Sequence, residues 1–194
     1  MAYSKGVKLA DKTSKRIIKT IKKMVYKEGA SSITVSRVIK KLGVSNRIFY
    51  NRFQNIEEAL LAVSQEIIDE MRVCIIKPYN PKDDFYKYLL GVARSVLIKT
   101  YEVKKSFSDY MFNNDIIDES NKIWWVGRIR KLLAYGIKNK YIKPLKEEDF
   151  SYGVWCFCRG FNVDAIKSRL ELKAALKIFD MTFGALIEGI KLKK

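Results

Sequence analysis

Apolar residues recur along this chain at intervals of three and four almost from end to end, and nowhere convincingly at intervals of two. That is the period of amphipathic helices. The first predicted helix runs from Asp11 to Lys27, with Ile17, Ile21, Met24 and Val25 inward and Lys19, Lys22 and Lys23 outward, and Gly29 ends it. Val35, Val38, Ile39 and Leu42 form the stripe of a second, stopped by Gly43, a residue that adopts the positive φ of a helix end without a Cβ clash. Ser45 is a ready N-cap for a third helix starting at Asn46. Asn55 with Glu58 three positions on resembles a capping box, opening a long helix to Ile76. The segment 77–84, KPYNPKDD, is the best linker, and helices are expected beyond it at 83–103, 105–113, 117–139, 147–166 and 172–191. Pro78, Pro81 and Pro144 all fall in these connections, so the fold class is all-α.

The second and third helices are joined by about three residues, as a helix-turn-helix unit requires. Ile48, Phe49 and Phe53 can pack inward, which leaves Asn46, Arg47, Tyr50, Asn51 and Arg52 available outside. Asn and Arg hydrogen-bond base edges, and Tyr and Arg bind phosphates. A helical hairpin in an all-α core uses the same glycine and the same apolar spacing, so charge has to separate the two readings. Residues 1–54 hold fourteen Lys and Arg against Asp11 and Glu28, which is +12 of the chain's net +17. The other 140 residues carry 24 basic and 19 acidic side chains. A surplus so concentrated points to a polyanionic partner for that segment.

Other function classes find little support. The chain has no histidine, hence neither the commonest general base nor the commonest zinc ligand. The Gly-rich phosphate loops, GxSxG and HExxH are all absent. The acid pairs Glu57–Glu58, Asp83–Asp84 and Glu147–Glu148 sit where helices begin and complement the helix dipole there. No enzymatic activity, cofactor or metal is therefore expected. Cys74, Cys156 and Cys158 are odd in number and form no CxxC pair, so buried, reduced thiols are expected. With no run of about 18 apolar residues and no apolar signal-peptide core at the N-terminus, cytoplasmic residence is expected.

Residues 13–61 resemble the DNA-binding domain of the tetracycline-repressor (TetR) family of bacterial transcription regulators. The likeness lies in a first helix followed by Gly29, Thr34 capping the second, the Gly43-Val44-Ser45 turn, Tyr50 with Phe53 three residues later, and a fourth helix that begins with acids. It implies that Thr34, Arg37, Asn46, Arg47, Tyr50 and Asn51 touch DNA, with Thr34 and Tyr50 on phosphates; Ser45 and Arg52 complete the candidate DNA-binding set. Two positions depart from the pattern: Ile48 replaces a small or hydroxyl residue, and Ile56 replaces a lysine. Both remove a usual phosphate contact, a role then expected of Lys15, Arg16, Arg47 or Arg52. The implied organisation is a three-helix helix-turn-helix DNA-binding domain over 1–55 and a helical ligand-binding and dimerisation domain over 56–194.

The resemblance implies a homodimer that represses transcription from a palindromic operator in double-stranded DNA and leaves it on binding a small apolar or aromatic effector. A constitutive or architectural DNA-binding protein without a ligand is the alternative. Tyr101, Tyr110, Phe112, Trp124, Trp125 and Trp155 are the candidate ligand-binding residues, with Asp109 a further polar contact, although aromatic stripes at helical spacing also serve as plain core. Leu172, Leu176, Phe179, Phe183, Leu186 and Ile190 are spaced as an a/d seam and are the candidate dimer residues. Gly153, Cys156 and Gly160 on the preceding helix would admit a close neighbour. Both stripes can also be satisfied within one subunit.

Overall fold

The computed structural model describes residues 10–103, 105–115 and 119–192, which form nine α-helices and no strand. They divide into two compact units between Asp69 and Glu70. The division falls inside a helix rather than at its start near residue 55, and the segment 77–84 lies within the second unit, where it joins two helices rather than two domains.

The first unit begins with α1 (Lys12–Glu28). Asp11 caps it reciprocally: its carboxylate accepts from the Ser14 N–H at 2.8 Å, and its own N–H donates to Ser14 Oγ at 3.3 Å. Gly29, at φ 84°, closes the other end by donating to the Val25 carbonyl. In α2 (Val35–Leu42) the Thr34 hydroxyl accepts from the Arg37 N–H, and Gly43 at φ 65° lets the Val44 N–H reach back to the Ile39 carbonyl. The expected hydroxyl cap on α3 (Asn46–Tyr50) is not formed: only the backbone carbonyl of Ser45 engages that helix. Ile17, Ile21, Met24, Val25, Val38 and Phe49 make the core of this unit, with Ile48 half-buried beside them. At the start of α4 (Ile56–Ile76) Asn55 accepts from Glu58, and the Glu58 carboxylate returns a bond to the N–H of Gln54, one residue earlier than a capping box places it.

The second unit contains the end of α4 and α5 (Phe85–Glu102), α6 (Lys105–Asp115), α7 (Ser120–Lys138), α8 (Glu147–Lys167) and α9 (Leu172–Ile190). Asp84 caps α5 through two backbone N–H groups. Phe157 and Phe161 of α8 lie against Phe179 and Phe183 of α9, with ring centroids 5.3–6.1 Å apart. The loop after α7 is pinned to the end of α9, since the Lys143 N–H donates to the Ile190 carbonyl and the Leu192 N–H to the Tyr141 carbonyl. Gly136 makes this approach possible: a Cβ there would sit 2.7 Å from Ile142 Cδ1 and 2.9 Å from the Phe85 ring. Among the described residues no helix is long and apolar enough to cross a membrane. Of the cysteines, Cys74 and Cys158 are half-buried, and burial pushes the Cys158 thiol up to about 12, but Cys156 is exposed, against expectation.

A candidate nucleic-acid interface and a candidate ligand cavity

Phe49, with no exposed surface, anchors α3 in the first unit and thereby fixes which of its neighbours face outward. Asn46 and Arg47 in the first turn, Tyr50 at the end and Asn51 just beyond are all exposed, as are Thr34 and Ser45. These six are open to solvent.

Arg52 is not. Its Nε donates to Asp11 at 2.9 Å, a second nitrogen binds the other carboxylate oxygen, and Nη1 donates to the Ile48 carbonyl at 2.8 Å. The side chain is only 10% exposed, so its guanidinium holds α3 against the start of α1 and is turned away from any phosphate. Arg52 and the Ser14 N–H together hold the Asp11 carboxyl well below the usual range. Arg37 is also engaged, with the Glu28 carboxylate and the Ser32 carbonyl, yet remains 46% exposed. Hydrogen bonding from Arg37 lowers the Glu28 pKa. The two acids of residues 1–54 are therefore spent on Arg37 and Arg52, and the positive surplus is carried by the lysines with Arg16 and Arg47.

The second unit encloses a cavity of about 160 Å³ among α4, α5, α6, α7, α8 and α9. Phe112, Trp125 and Trp155 line it as expected, and Phe150 and Phe183 join them. Tyr101, Tyr110 and Trp124 do not line it. The Tyr101 hydroxyl donates to the Leu170 carbonyl at 2.9 Å, Tyr110 stacks on Phe107, and Trp124 packs under Arg72, 4.7 Å from guanidinium carbon to ring centre. The side chain of Asp109 lies outside the described residues. Sequence reasoning missed the polar lining, Thr100, Asn121, Arg159 and Asn162. The available signal was the pair Arg159 and Asn162, polar at i and i+3 in an aromatic stretch of helix.

The proposed seam on α9 faces inward. Phe179, Phe183 and Ile190 are buried in the unit's own core, and Leu176 and Leu186 pack against that core. Helices α5 and α8 of the same chain cover the stripe. The outward face of α9 instead shows Ile178 and Met181, the latter 71% exposed, while α8 exposes Tyr152, Gly153, Cys156 and Gly160.

An all-α chain with a helix-turn-helix in one unit and an aromatic cavity in the other defines a recognisable architecture. No family model matches the sequence, and no curated protein is similar to it in sequence. Among solved structures, a TetR-family transcriptional regulator from Pectobacterium atrosepticum superposes with a TM-score of 0.76 at 12% identity, over 93% of this chain and 95% of that one. A second TetR-family regulator, from Syntrophomonas wolfei, gives 0.70 at 12% identity over 93% and 97%. A fatty acid degradation regulator from Bacillus halodurans gives 0.61 at 15% identity over 96% and 100%. This chain has the fold of the TetR-family transcriptional regulators.

Proposed function

We propose that this protein is a dimeric, sequence-specific DNA-binding repressor in the cytoplasm, released from its operator by a small molecule held in the second unit. The observation that carries the reading is α3: Asn46 and Arg47 stand exposed at its N-terminal end, within a segment of net charge +12. Side chains at the start of the second helix of such a unit are the ones that reach base edges in the major groove. Thr34, Tyr50 and the surrounding lysines supply phosphate contacts, which set affinity and position.

Two reading heads must meet successive major grooves about 34–36 Å apart, or a multiple of that distance, so a dimer is required by geometry. The surface that supports it is the outward face of α8 and α9. Gly153 and Gly160 have open space where a Cβ would stand, and Ile178, Met181 and Tyr152 offer apolar area beside them. The helix α4 contributes residues to both units and is the connection through which an occupied cavity changes the spacing of the heads. A ligand acts only through its difference in affinity for the two spacings, typically about 1–3 kcal/mol.

Selection of binding sites from random duplex DNA with the purified full chain tests this reading. A palindromic consensus is the expected result. Binding that is strongly salt-dependent but indifferent to sequence would replace a repressor with an architectural protein.

A further inference from the structure

A polar side chain stands in the cavity wall where packing alone would favour an apolar one. Asn162 lies on the inward row of α8 that runs through Val154, Cys158 and Ala165, and it is 6% exposed. The buried hydroxyls of Ser64, Thr100 and Ser151 are satisfied by their own helices, since they donate to the carbonyls of Leu60, Val96 and Glu148. Asn162 Oδ1 has no such partner. Buried polar atoms are almost always paired, so an orphan on a residue of the cavity wall calls for a partner on whatever fills the space.

The walls add shape to this polarity. Phe112, Trp125, Phe150, Trp155 and Phe183 present ring faces and edges to the space. Its volume of about 160 Å³ matches the size of apolar cavity, about 150 Å³, that accepts a single benzene ring. A long acyl chain needs more room, and a plain hydrocarbon leaves Asn162 unpaired.

We propose that the cavity takes a single-ring phenol. Its ring lies among the five aromatic side chains, and its hydroxyl pairs with the Asn162 amide. The last torsion of an asparagine side chain is broad, so rotation presents either the oxygen or the nitrogen of the amide to the space. A hydroxyl is donor and acceptor at once and matches both. Arg159, one helical turn away, is engaged by the Phe112 carbonyl at 3.3 Å and by the Trp155 ring, and it keeps those contacts when the phenol is bound. The assignment rests on the ligand-sensor reading above, and names the class of effector.

The test titrates the full-length protein with phenol, 4-methylphenol, toluene, benzoate, cyclohexanol and dodecanoate, following tryptophan fluorescence and melting temperature. At least one of the two phenols is expected to bind ten-fold or more tightly than toluene and cyclohexanol. Asn162→Leu should erase the advantage of 4-methylphenol over toluene while toluene still binds. If that variant fails to fold, the wild-type series decides alone, because toluene differs from 4-methylphenol only by the hydroxyl. Toluene, benzoate, cyclohexanol or dodecanoate bound as tightly as the better phenol overturns the assignment while the sensor reading survives, and absence of binding by all six overturns it as well. Operator affinity with and without saturating 4-methylphenol tests the sensor reading separately: a bound phenol that leaves operator affinity unchanged supports the assignment and sinks the sensor.

Discussion

In residues 10–69 the groups with chemistry to offer, Asn46, Arg47, Tyr50 and Asn51, face solvent, whereas from Glu70 onward the comparable groups, Arg159 and Asn162, line an interior cavity. The first arrangement suits a large, rigid, charged partner that cannot enter a protein. The second suits a small one that must be desolvated to be recognised. The two also differ in what holds them in place. The buried Phe49 ring and one ion pair orient α3, but the cavity wall draws on six helices. A substitution on the outer face of α3 therefore changes partner choice alone, while one in the cavity wall risks the packing as well.

The largest expected effect tests whether the second unit contributes to DNA binding without touching it. Met181→Glu places a charge on the exposed face of α9, and monomers are expected by sedimentation. Operator affinity should fall about 100-fold or more, the loss that follows when two linked sites become one. A dimer that survives Met181→Glu would separate the outward face of α9 from assembly. Phe183→Glu, by contrast, buries a charge in the aromatic stack and is expected to prevent folding.

Next in size is the reading head itself. The Asn46→Ala/Arg47→Ala double variant removes the two proposed base contacts, worth about 1–3 kcal/mol each, so affinity should drop about 30-fold or more. Its preference among sequences should flatten as well. Lys19→Ala should weaken all sequences evenly and reduce the salt slope. An unchanged preference in the double variant would move recognition off α3.

Inside the second unit, Gly136→Ala forces a Cβ against Ile142 and Phe85 and should cost about 1–3 kcal/mol, read by thermal unfolding. The equivalent change on the outer face of α3, Asn51→Ala, should leave the melting temperature within about a degree or two. The smallest effect is with pH. Because the folded Asp11 carboxyl is held below its ordinary value, its pairing stabilises the first unit at every pH above about 4 and is lost only as pH falls further. This pair should cause no change in melting temperature between pH 7 and 5, where its stabilisation is fully present. Below pH 4 wild type should fall towards Arg52→Ala.

The boundaries of the helices were legible because caps are local. Asp11, Thr34, Gly29 and Gly43 each act within three or four residues, and α1 and α2 start and stop where these stand. Arg52 was misread for the opposite reason: its partner lies 41 residues away, beyond the reach of any periodicity. The stripe on α9 was correctly seen as apolar, but spacing does not say whether the covering helices belong to the same chain. Likewise the aromatic stretch announced a rich interior, yet only packing separates Trp125, which borders a void, from Trp124, which borders an arginine.

The helix α3 is five residues long, too short to persist alone in water, and it stands because Phe49 and Arg52 are held from within. The residues facing out contribute almost nothing to keeping it folded. Lineages of this protein are therefore free to trade Asn46, Arg47 and Asn51 for other side chains one at a time, each intermediate remaining soluble and intact. On the proposed reading, operator preference can then drift, or be redesigned at the bench, on a scaffold that registers no change.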